Sequence, residues 1–135
     1  MHLRVLRENE KKGLLELAYY LFHLDGEFDE HEKNYISIFS HATMLDLVSY
    51  QPSKKSLQQI LLPFRDSSVI VKEVIFYELV FLSFKDHIPT EKELRFIETL
   101  KKEWNMNEEK YKEACRDAQQ MQIMQKKHAN AVENV

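Results

Sequence analysis

The stretch LAYYLFHLDGEFDEHEKNYISIF, Leu17 to Phe39, has a counterpart 61 residues further on in ELVFLSFKDHIPTEKELRFIETL, Glu78 to Leu100. Each copy opens with an apolar, aromatic-containing segment at helical spacing, reaches an aspartate (Asp25, Asp86), and then turns. Each turn ends on a residue suited to cap a helix, with a glutamate three places later: Asp29 with Glu32, Thr90 with Glu93. A side-chain oxygen at the cap accepts from a backbone N–H of the first turn, and the glutamate accepts from the N–H of the cap itself. The apolar positions beyond the cap also correspond, Tyr35, Ile36 and Phe39 against Phe96, Ile97 and Leu100. The pattern predicts two helix–turn–helix halves with an acidic turn in each.

Composition narrows the class. With only 2 Gly and 3 Pro in 135 residues, the chain lacks the turn-formers an all-β fold needs, so an all-α fold is expected. A hydrophobic content of 44% with 8 Phe and 6 Tyr is enough for a packed core and excludes general disorder. The 22 acidic and 19 basic residues are interspersed, giving a net charge of −3, which argues against nucleic acid as a partner. Cys115 is the only cysteine, so neither an intrachain disulfide nor a CxxC zinc pair can form. MHLRVLRENEKK has no signal-peptide apolar stretch, and Ser68–Phe84 is short for a bilayer span, so a cytoplasmic location is expected.

Residues 1–135 are expected to form one domain of six to seven helices, with a core over about 12–124 and a frayed tail over 125–135. The charged run Arg7–Lys12 reads as a lead-in helical turn, followed by Leu14, Ala18 and Leu21 at helical spacing. Gly26 suits a left-handed helix end. The next helix should run from Asp29 to about Met44, facing inward through Tyr35, Ile36, Phe39 and Ala42. Pro52–Ser56 marks a loop, and Leu57–Leu62 a short helix closed by Pro63. Ser68–Phe84 is apolar nearly all round, which predicts a buried helix, although its β-branched start also suits a strand. Thr90–Trp104 should bury Leu94, Ile97, Leu100 and Trp104; Asn107 caps a last helix with a thin stripe of Tyr111, Ala114, Cys115, Ala118 and Met121.

The acidic turn DGEFDEHE, Asp25 to Glu32, carries the chemistry. Its carboxylates are the oxygen ligands that hard divalent cations prefer, but EF-hand spacing is missing. Helix capping accounts for Asp29 and Glu32 without any ion, and both readings remain open. The second turn keeps Asp86 and Glu93 in register, but His87 replaces the glycine, Pro89 precedes the cap, and no acid matches Glu27. His23 and His31 belong to no recognised metal pattern and read as surface or cap residues. Cys115 sits on an apolar stripe with no histidine placed beside it by sequence. No nucleophile elbow, P-loop or dinucleotide glycine pattern occurs.

The segments LDGEFDEHEKNYI and KDHIPTEKELRFIETLKKEWNMNEEKY resemble the TerB-like family, over roughly residues 14–115. Two departures are the His23–Leu24 pair, where small residues are usual, and the second turn without glycine. The resemblance implies a helical domain of two similar halves, linked by name to tellurite resistance, whose members bind partners and are regarded as divalent-metal binders. Carried over by position, the metal candidates are Asp25, Asp29, Glu32, Asp86 and Glu93. The expected function is a non-catalytic binding or scaffold module with weak divalent-cation affinity. Its setting would be a bacterial stress-response or envelope-associated complex, with a protein partner and membrane contact only through that partner. Two rival expectations are a metal-dependent hydrolase or sensor using both acidic turns, and a phage or mobile-element adaptor without ion chemistry.

Overall fold

Helix-start chemistry sets the element boundaries in the computed structural model, which describes residues 3–24, 30–44, 55–84 and 88–133. The described residues form six α-helices and two 3-10 turns and contain no strand: α1 Glu8–Phe22, α2 Glu30–Thr43, α3 Leu57–Leu61, α4 Val69–Phe84, α5 Glu91–Glu103 and α6 Glu108–Glu133. The 3-10 turns are Leu3–Val5, ahead of α1, and Leu62–Phe64, directly after α3. The all-α expectation holds, and Val69–Phe84 is a helix despite its β-branched start.

The caps are specific. At α5 the Thr90 hydroxyl accepts from the Glu93 N–H at 3.2 Å, while the Thr90 N–H donates to Glu93 Oε1 at 3.0 Å. A second reciprocal box opens α3, between Ser56 and Gln59, in an S-x-x-Q pattern that begins at the end of the polar run Pro52–Ser56. Ser68 Oγ accepts from the Val71 N–H at α4, and Asn107 Oδ1 from the Lys110 N–H at α6. The expected cap of α2, Asp29, lies outside the described residues. Helix α5 ends with Asn105 in the left-handed region at φ 51°. There the Met106 N–H donates to the Lys101 carbonyl and the Asn105 N–H to the Lys102 carbonyl, the paired bonds that close a helix when an Asn or Gly follows it. Replacing Thr90 with alanine orphans the Glu93 N–H, and a loss of about 1 kcal/mol is expected in a thermal or urea melt.

The chain divides into two compact units, Met1–Ile75 and Phe76–Val135, with the division inside α4. In the first unit α1 packs against α2, α3 and the Leu62–Phe64 turn. Leu14, Leu15, Leu17, Ala18 and Leu21 are all buried along α1, a face wide enough to meet several neighbours. Phe22 of α1 meets Tyr35 of α2 edge to face at 5.8 Å, and Tyr35 continues onto Phe39 at 6.0 Å. Gly13 lets the wholly buried Phe64 ring press against the α1 backbone: a Cβ at Gly13 would stand 2.3 Å from Phe64 Cζ. In the second unit Phe76, Leu79, Val80, Phe96, Ile97, Leu100, Ala114 and Ala118 are buried.

Several inward positions differ from expectation. Ala42 is exposed and Thr43 buried, its hydroxyl returned to the Phe39 carbonyl at 2.7 Å, because Thr43 lies nearer the middle of the Tyr35–Ile36–Phe39 face. Leu94 is 40% exposed, whereas Phe96 is buried. With α5 starting at Glu91, the face formed by Glu93, Ile97 and Leu100 leaves Leu94 roughly 100° off to one side. Val69 and Ile70, at the start of α4, are largely exposed, so the apolar run is buried only from Val71 onward. Met121 is also exposed, leaving Ala114 and Ala118 as the buried part of the α6 stripe. The α6 backbone is helical to Glu133, through a segment free of Gly and Pro.

Candidate functional site

The first acidic turn follows the end of α1, where His23 occupies the capping position. The His23 N–H donates to the Tyr19 carbonyl at 3.1 Å, His23 Nδ1 lies 2.7 Å from the same oxygen, and the imidazole stacks on the Tyr19 ring at 6.1 Å. His23 is thus a helix-end residue, in line with its cap reading. Asp25 and Asp29 lie outside the described residues. Glu32 is half-buried at the third position of α2, and the neighbouring Glu30 pairs with Lys33 on the exposed side.

At the second turn, Asp86 and His87 also lie outside the described residues. Ile88 is exposed, Pro89 is buried, and Thr90 opens α5. Glu93 is only 5% exposed and commits one carboxylate oxygen to the Thr90 N–H, so its position is explained by helix initiation. Of the five metal candidates, Glu32 and Glu93 are therefore the two that can be placed, one in each unit. Among the described residues, no group of three or more His, Cys, Asp or Glu side chains is arranged to hold a metal ion.

The most constrained carboxylate is one the sequence did not single out. Glu10, 1% exposed, lies in the first turn of α1, within the charged run Arg7–Lys12. The Arg7 N–H donates to Glu10 Oε1 at 2.8 Å, the Arg7 guanidinium reaches both carboxylate oxygens at 3.3 and 3.2 Å, and the Ser67 hydroxyl donates to Oε2. Burial pushes the Glu10 carboxyl up, but the hydrogen bonds from Arg7 and Ser67 together outweigh it and hold the group below its ordinary value. With Arg7 and Ser67 as its donors, Glu10 acts as a clasp between the start of α1 and the segment entering α4. The readable signal was a glutamate three residues into a helix. It was masked because Arg7 is not a capping type and Ser67 is 57 residues away.

A second polar cluster joins α5 to α6. Lys101 Nζ donates to Glu98 at 3.4 Å and to Glu108, and sits 5.1 Å from the centre of the Tyr111 ring. The ion pairs raise the Lys101 pKa and lower that of Glu108, in each case chiefly through their shared hydrogen bond. Tyr111 packs at 6.2 Å from Phe76. One turn along, burial pushes the half-buried Cys115 thiol up, the opposite direction from an activated nucleophile. The cluster does the work of a helix junction.

Comparison of the chain with protein-family models, with curated proteins and with solved structures finds no match.

Proposed function

We propose that this chain is a non-catalytic binding module of the TerB-like kind, acting in a bacterial stress-response or envelope-associated complex and recognising a protein partner. The observation that carries the reading is that α2 starts at Glu30 and α5 at Glu91, the same offset of 61 that relates the two sequence copies. Glu32 and Glu93 consequently occupy the third position of their helices, and each unit holds one copy of the motif. The reciprocal Thr90–Glu93 cap supports the expected helix-start chemistry in the second copy. Among the described residues no helix is long and apolar enough to cross a membrane.

Any divalent-cation binding is weak and centres on Asp25, Asp29 and Glu32, because the second turn commits Glu93 to its cap and replaces the glycine with His87. Calorimetric titration with calcium, magnesium, manganese and zinc tests this. A dissociation constant on the order of 10⁻³ M or weaker is expected, with a rise in melting temperature. Both should disappear in the Asp25→Asn/Glu32→Gln variant. Absence of heat and of any melting shift in the wild type would leave partner recognition without an ion. Cation-dependent hydrolysis of phosphoesters, lost in the same variant, would overturn the non-catalytic reading.

A further inference from the structure

We draw no further inference here: the strongest candidate, the exposed apolar pair Met121 and Met124 on the distal part of α6, carries nothing because nothing in the structure shows what covers it.

Discussion

Replacing Glu10 with alanine is expected to destabilise the fold by about 3–4 kcal/mol, the range seen when one partner of a buried, hydrogen-bonded charge is removed. The substitution leaves the Arg7 N–H and the Ser67 hydroxyl without their acceptor and opens a void at the start of α1. Glu10→Gln keeps the shape and one carbonyl acceptor but presents an amide where Ser67 and the guanidinium need an oxygen, so an intermediate loss is expected. Arg7→Ala should cost less than Glu10→Ala, because Arg7 extends into solvent while Glu10 does not. Urea melts of the three variants give the order directly. Equal losses for Arg7→Ala and Glu10→Ala would show that the guanidinium, and not the buried carboxylate, holds the site together.

The same carboxylate gives the fold a signed dependence on pH. Glu10 titrates lower in the folded chain than in the unfolded one. On acidification the unfolded state therefore takes up its proton first, and the Glu10 contribution declines as pH falls toward and through the folded value. Above the ordinary glutamate value the contribution is complete. The stability gap between wild type and Glu10→Gln should thus be widest near neutrality and narrow steadily as pH falls below the ordinary glutamate value, in urea melts at a series of pH values. A gap that stays constant or widens with acid would refute the assignment.

Gly13→Ala is expected to lower stability by about 1–2 kcal/mol, although alanine is the better helix former by about 1 kcal/mol. The new methyl would fall 2.3 Å from Phe64 Cζ and 2.7 Å from Cε2, and the ring is wholly buried in the first unit. Overpacking a rigid aromatic costs more than the helix gains. Phe64→Leu supplies the control: alone it should destabilise, but in its background Gly13→Ala should cost much less or become neutral. A double-mutant cycle in urea measures that coupling. An alanine variant that melts at or above the wild-type temperature would show that the first unit can move the ring aside without loss.

How much of this was legible in the sequence depends on the range over which each signal acts. Caps are written within four residues, so Thr90 with Glu93 and Asn107 with Lys110 follow from local chemistry. Ser56 with Gln59 was equally local, and was missed because the polar residues before it gave the segment the look of a loop. Faces are legible to within about one residue. Phe96 and Thr43 took the inward places expected of Leu94 and Ala42, since the apolar stripe is broad and only the neighbours packed against a helix decide which edge of it is covered. Contacts between distant positions left no mark. Nothing in the run RENEKK announces that Glu10 meets Ser67, or that Gly13 stands under Phe64. The acidic turns were legible as chemistry, but Asp25, Asp29 and Asp86 lie outside the described residues.

The division between the two compact units falls between Ile75 and Phe76, both wholly buried and both in the middle of α4. Domain boundaries ordinarily fall in exposed linkers, where a chain can be cut or spliced at little cost. Severing this one would leave broken helical turns with orphaned N–H and C=O groups. The two copies of the motif are therefore not interchangeable cassettes. A cut or splice that respects the helix would have to keep all 16 residues of α4 together, on one side of the join or the other.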